Sequence, residues 1–68
     1  MVNYIYFSLD GIPCRIKKQR DNLCEAEIYQ KGSGFVKGPK MEILSSGQIL
    51  SKEEFSTLLF QYSKLDID

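Results

Sequence analysis

The chain lacks histidine and tryptophan, and its 68 residues include only two cysteines and two prolines. Without histidine, no Ser-His-Asp or Cys-His catalytic arrangement can form, and the side chain that most often transfers protons near neutral pH is missing. Two thiols without a histidine do not supply the four ligands of a structural zinc site. We therefore expect no catalysis, no metal and no cofactor.

Long apolar runs are also missing. None approaches the roughly 20 residues that a membrane-spanning helix needs, and residues 1–9 lack the basic segment and the small-residue cleavage site of a signal peptide. We therefore expect a cytoplasmic protein without membrane contact. In a reducing compartment Cys14 and Cys24 would be thiols, which we predict to be small core residues.

The net charge is zero, which removes the broad attraction on which most nucleic-acid binders depend. The charge is unevenly distributed, however. Residues 15–40 carry seven Lys or Arg against three Asp or Glu, whereas residues 41–68 carry two against five. A solvated, polarised surface is the simpler explanation of this asymmetry.

A strand pattern rich in aromatic and β-branched side chains occupies residues 3–9. It leads into Asp10-Gly11, which favours a type I′ turn because both central positions need positive φ. A two-residue turn pairs Leu9 with Ile12, Phe7 with Cys14 and Ile5 with Ile16. All six side chains are apolar and lie on one face, which we predict to be the inner face of a sheet.

The polar cluster Arg20-Asp21-Asn22 predicts a three-residue loop between a second and a third strand. That loop sets Ile16 opposite Ala26, Cys14 opposite Ile28, Arg15 opposite Glu27 and Lys17 opposite Glu25. The two outward pairs then carry opposite charges, each contributing about 0.2–1 kcal/mol.

The clearest helix start is Ser51-Lys-Glu-Glu54, a capping box flanked by the hydrophobic staple Leu50 and Phe55. Helical periodicity then follows at Phe55, Leu58, Leu59 and Tyr62. Because this apolar stripe needs a partner, we predict that the helix packs on the inner face of the sheet.

The segment before that helix has two interpretations. Pro39 suits the first position of a short helix that ends at Gly47, whereas residues 41–43 also suit a fourth strand. We favour the helix. The predicted fold is α+β: a three-stranded antiparallel meander with one C-terminal α-helix on its inner face and a short helical turn at 39–46. Residues 1–68 form one small domain, with a Gly/Lys-rich connecting loop at 31–39 and a frayed tail at 66–68.

The glycine-rich stretch at residues 31–40 raises the question of phosphate binding. It contains no Gly-Lys-Ser/Thr and no helix start, so a P-loop is excluded. The loop either connects two halves of the domain, with Phe35 folded over the core, or presents Phe35 to a partner.

The outer face of the predicted sheet is the second candidate surface. Its partner-binding candidates, together with Phe35, are Tyr4, Tyr6, Arg15, Lys17 and Tyr29. Aromatic and basic side chains interleaved on a sheet can also stack bases and hold phosphates. The corresponding nucleic-acid candidates are Tyr4, Tyr6, Arg15, Lys17, Lys31, Lys37 and Lys40.

These observations predict a small interaction or regulatory module that binds another protein or a second copy of itself. Open sheet edges also favour a binding role, because an edge strand can pair with a strand of a partner. Weak binding of single-stranded nucleic acid is the alternative. Glu25 and Glu27 oppose it, since they neutralise the neighbouring cations.

Overall fold

The computed structural model describes residues 3–64, which form a five-stranded antiparallel sheet and two helices. The strands are β1 (Asn3–Leu9), β2 (Ile12–Gln19), β3 (Asn22–Gln30), β4 (Gly34–Lys37) and β5 (Gln48–Leu50). Their order across the sheet is β4-β3-β2-β1-β5. Helix α1 (Lys40–Ser46) joins β4 to β5, and helix α2 (Lys52–Lys64) follows β5. The predicted α+β class is confirmed, but the sheet has two strands more than the predicted meander.

The β1–β2 hairpin has the predicted turn and register. Asp10 and Gly11 have φ values of 52° and 80°, the left-handed conformation that a type I′ turn requires at both positions. Leu9 pairs with Ile12, Phe7 with Cys14 and Ile5 with Ile16. The apolar set therefore shares one face of the sheet.

The β2–β3 hairpin reaches the predicted register by a different route. Cys14 pairs with Ile28, Arg15 with Glu27 and Ile16 with Ala26, as predicted. The predicted three-residue loop is wrong, because Gln19 pairs with Asn22 across a two-residue turn at Arg20-Asp21. A bulge compensates: between the pairs Ile16↔Ala26 and Lys18↔Leu23, Lys17 alone stands against Cys24 and Glu25. The extra residue on β3 restores the alternation that a loop of odd length would have given.

The prediction of a connecting loop at residues 31–39 is wrong for its centre. Residues 34–37 are β4, in which Phe35 pairs with Tyr29 and Lys37 with Glu27. The run is only four residues long and begins at Gly34, whose φ is 84°. It is too short to show the alternation by which strands are recognised in a sequence. The predicted tail at 66–68 lies outside the described residues.

Helix α1 confirms the favoured interpretation of residues 39–46, and it covers the face that we predicted as inner. Ile43 is fully buried. It belongs to a cluster with Phe7, Leu9, Cys14, Ile16 and Ala26. Burial raises the pKa of the Cys14 thiol to about 11, so this group stays protonated at neutral pH. Cys24 differs from the prediction: it is half-exposed beside the bulge, outside this core.

Helix α2 begins at the predicted capping box. The Ser51 amide donates to Glu54 Oε1 at 2.9 Å, and the Glu54 amide donates to Ser51 Oγ at 3.1 Å. The predicted position of the helix is wrong, however. Phe55 stacks on Tyr6, and Tyr6 points away from the face that carries Phe7. Helix α2 therefore packs on the outer face, because α1 already covers the aliphatic one, and the sheet lies between two helices.

Replacing Gly47 with alanine should lower the free energy of unfolding by about 1–3 kcal/mol, a typical penalty for overpacking. The φ of Gly47 is −71°, which alanine adopts freely. A Cβ atom at this position would nevertheless clash with the backbone carbonyl oxygen of Ile43. Urea denaturation measures the change. Ser46→Ala, at the exposed neighbouring residue, is the control and should shift stability by less than about 0.5 kcal/mol. Equal midpoints for both variants would contradict the clash.

The capping box also predicts a pH dependence. Hydrogen bonds from the Ser51 amide and hydroxyl hold the pKa of Glu54 below its ordinary value. A lowered pKa in the folded state contributes stability that is present above the unfolded pKa and is lost as the pH falls through the folded one. Glu54→Gln keeps an acceptor but removes the charge. It should therefore be less stable than the wild type at neutral pH and approach it in acid.

Urea denaturation at neutral pH and at about pH 3 measures this convergence. Glu53→Gln is the matched control, since Glu53 lies in the same first turn of α2. A gap between Glu54→Gln and the wild type that does not narrow in acid would refute the role of the charge.

Candidate functional site

Arg15 lies at the centre of the outer face of the sheet, beneath α2. Its Nε donates to Glu27 Oε1 at 2.8 Å. Its guanidinium carbon lies 4.5 Å from the ring centroid of Tyr4 and 4.0 Å from that of Phe35. Both distances are within the range of cation–π attraction. Strand pairing produces this arrangement, because Arg15 stands opposite both Tyr6 and Glu27.

Aromatic side chains from the sheet and from α2 surround this ion pair. Phe55 is the contact between the two layers, with ring centroids 4.4 Å from Tyr6 and 6.0 Å from Phe35. The Tyr29 ring meets Phe35 and Tyr62 edge to face at 5.5 and 5.6 Å. We call this set the Arg15–aromatic cluster: Arg15, Glu27, Tyr4, Tyr6, Tyr29, Phe35, Phe55 and Tyr62.

The electrostatics of the cluster are balanced. The side chains of Arg15 and Glu27 are 27% and 32% exposed, so solvent screens their attraction and the pair contributes about 0.2–1 kcal/mol. The guanidinium is already engaged by a carboxylate and two rings. In this conformation Arg15 stabilises the contact between neighbouring strands, and its charge is less available to a ligand.

The structure brings most predicted site residues together. Tyr4, Tyr6, Arg15, Tyr29 and Phe35 all belong to the cluster. Lys17 lies on the same side of β2 but at the bulge, where its pairing with β3 is interrupted. Phe55 and Tyr62 were not predicted as members, although their helical spacing was recognised. The reason is that α2 was expected on the opposite face of the sheet.

Two of the three additional lysines of the nucleic-acid alternative border the Arg15–aromatic cluster. Lys31 Nζ lies 5.2 Å from the centroid of the Tyr62 ring. Lys37 is exposed on β4 opposite Glu27, on the same face of the sheet. Lys40 lies apart from them, since its Nζ donates to the backbone carbonyl of Leu23 at 2.7 Å.

A different surface is formed where β5 joins β1. The β5 strand pairs with residues 6–8 of β1, so within residues 3–64 no strand lies outside Asn3, Tyr4 and Ile5. The result is a step, which we call the stepped edge: residues 48–50 of β5 and residues 3–5 of β1. Ile49, at the middle of β5, is 69% exposed. Backbone N–H and C=O groups at such an edge are available to a further strand.

The two outer edges of the sheet differ in chemistry. The opposite edge, formed by β4, carries Lys37 and runs into Gly38-Pro39. A charged side chain and a proline are the common devices that prevent a sheet edge from pairing. The stepped edge contains no charged residue and no proline. It is therefore the edge better suited to strand addition.

The shallow depressions on the surface of the described residues include the following two. One, of about 430 Å³, is lined by Glu53, Glu54, Thr57, Leu58 and Gln61 along α2. The other, of about 260 Å³, is lined by Gln19, Arg20, Asn22 and Cys24 near the β2–β3 turn. Among residues 3–64, no three His, Cys, Asp or Glu side chains are grouped so that they could hold a metal ion. In the same range, neither helix is long and apolar enough to cross a membrane.

Replacing Arg15 with methionine should lower the free energy of unfolding by about 1–2 kcal/mol. Two cation–π contacts of about 0.5–1 kcal/mol each are lost, together with the partner of Glu27. The free energy of unfolding of Arg15→Lys should lie between those of the wild type and of Arg15→Met, since lysine keeps the charge but not the planar group. The measurement is urea denaturation, with Lys17→Met on the same strand as the control. If both methionine variants lose the same stability, the stacking of Arg15 is not what stabilises the cluster.

Comparisons of this chain with known protein families, with curated proteins and with solved structures each found no match. The functional inference therefore depends on the two surfaces themselves. One is the Arg15–aromatic cluster, which α2 covers. The other is the stepped edge, which no further strand covers in the part of the chain that the structure describes.

Proposed function

We propose that the protein is a small, non-catalytic interaction module that binds an extended segment of another protein by strand addition at the stepped edge. A cytoplasmic location belongs to the same proposal. The observation that carries it is the combination of an uncharged edge, which no other strand of residues 3–64 pairs with, and an apolar side chain, Ile49, that is 69% exposed.

The alternation of the strands indicates how a partner would bind. Ile49 stands opposite Phe7, so its side chain lies on the α1 side of the sheet. In an antiparallel ladder the backbone groups of alternate residues turn to opposite edges. A partner strand would form main-chain hydrogen bonds to this edge. Its alternate side chains would then lie on the same face of the sheet as Ile49. Main-chain bonds give such complexes their affinity, and side-chain pockets their specificity.

The other features that predicted a binding role are engaged within the chain. Tyr6 and Phe35 contact Phe55 of α2, and Arg15 pairs with Glu27. A partner would have to displace these contacts, whereas strand addition at the stepped edge displaces no strand pairing of residues 3–64. The same reasoning weakens the nucleic-acid alternative, which needs Tyr6 and Arg15 to meet bases and phosphates.

The experiment uses peptides selected from a displayed random library for binding to the folded protein. An amide-resolved NMR titration of the labelled protein then locates each peptide. We expect the largest shifts at residues 48–50 and 3–5, with little change when salt is raised, because an uncharged edge is insensitive to screening. Ile49→Lys should weaken binding at least tenfold.

The matched control is Phe60→Lys. Phe60 is 65% exposed on α2, so this variant makes the same kind of change at a similar exposure away from the edge. Its affinity should equal that of the wild type. Shifts confined to residues outside the stepped edge, or equal losses in both variants, would refute strand addition. Oligonucleotides titrated at low salt in the same experiment test the alternative.

A further inference from the structure

The two faces of the sheet are held by different kinds of contact. On the α1 side the core is largely aliphatic and tightly closed, with Cys14, Ile16 and Ile43 at 0% exposure. On the α2 side the layers meet mainly through rings and a guanidinium, with Pro13 of β2 also fully buried. Of the α2 residues that face the sheet, only Phe55 is buried, at 5% exposure. Leu58, Leu59 and Tyr62 are half-exposed.

Helix α2 is joined to the sheet by very little chain. A single residue, Ser51, separates the end of β5 from the start of the helix. The hydrogen bonds that cap the helix run between Ser51 and Glu54, so they are local and do not depend on the sheet. At the other end, the Tyr62 ring meets Tyr29. The helix could therefore leave the sheet without disrupting its own cap.

From this asymmetry we propose that α2 is a reversible cover over the Arg15–aromatic cluster and opens as a unit while the sheet and α1 stay folded. Regions with few buried apolar contacts open at a lower free energy than the global unfolding transition. Here the cluster of Phe7, Leu9, Cys14, Ile16, Ala26 and Ile43 lies on the α1 side, so opening of α2 leaves it intact. The strand pairing that holds Arg15 beside Glu27 also remains.

The cover controls access to the predicted binding residues. With α2 closed, Tyr6 and Phe35 contact Phe55, and Tyr29 contacts Tyr62. With α2 open, the same rings form one face with Arg15. A ligand of this face would bind only the open fraction, so its apparent affinity would fall in proportion to that fraction. The inference does not depend on strand addition at the stepped edge, although Tyr4 belongs to both surfaces and α2 follows β5 after a single residue.

Native-state hydrogen exchange of the full chain tests the cover. The reporters are the amides of Leu59, in the middle of α2, and Ile16, in the central strand. In the wild type at low urea, the Leu59 amide should exchange at least tenfold faster than the Ile16 amide, and its rate should respond less steeply to urea. A smaller urea response is expected because opening α2 exposes less surface than global unfolding.

Two variants make the test specific. Ile43→Ala, on the α1 side, should accelerate exchange at Ile16 at least tenfold and leave Leu59 nearly unchanged, because it destabilises the closed and the α2-open states alike. Phe55→Ala should accelerate both amides, because the contacts that it removes exist only in the closed state, from which both openings start. Equal rates and equal urea responses at the two wild-type amides would overturn the cover. So would an Ile43→Ala variant that accelerates both amides equally. The wild-type measurement decides the matter even if a variant fails to fold.

Discussion

The alternation of side chains along β2 is the constraint on which the rest of the structure depends. This central strand turns Cys14 and Ile16 towards α1 and Arg15 towards α2. Side chains of neighbouring residues in a strand must point to opposite faces of the sheet. Both faces of β2 must therefore be covered, one by an aliphatic layer and one by an aromatic layer. In a chain of 68 residues, each helix supplies one of these layers.

The two layers contribute differently to stability and motion. Burial of aliphatic side chains against Ile43 supplies the non-directional hydrophobic term, which is proportional to the apolar area removed from water. The contacts of Arg15 and the rings are directional and partly exposed, so each contributes a smaller and more geometry-dependent amount. The functional proposals follow the same division. The open edge lies beside the well-buried core, whereas the covered face lies under the helix with fewer buried contacts.

Much of the candidate site could be predicted from local patterns. The Asp10-Gly11 turn and the alternation of β1 and β2 are enough to predict that Tyr4, Tyr6 and Arg15 share one face. The cross-strand pair of Arg15 and Glu27 was predicted from a three-residue loop, and the two-residue turn with the bulge gives the same pair. Two features could not be predicted. The β2–β3 bulge could not be predicted, because a three-residue loop and a two-residue turn with a bulge place the same side chains on the same faces. Strand β4 could not be predicted, because four residues next to glycines are too few to show the two-residue alternation of a strand.

The sequence by itself determined the Asp10-Gly11 turn, the register of β1 with β2 and of residues 14–16 with residues 26–28, the α2 cap and the division of side chains between two faces. These features depend on contacts between near neighbours, or on a period that a single strand displays. Only the tertiary structure decided which helix covers which face. Both faces of the sheet offered apolar area, and the stripe of α2 fits either. The choice followed from the chain path, because α1 crosses from β4 to β5 over the aliphatic face and leaves the aromatic face for α2.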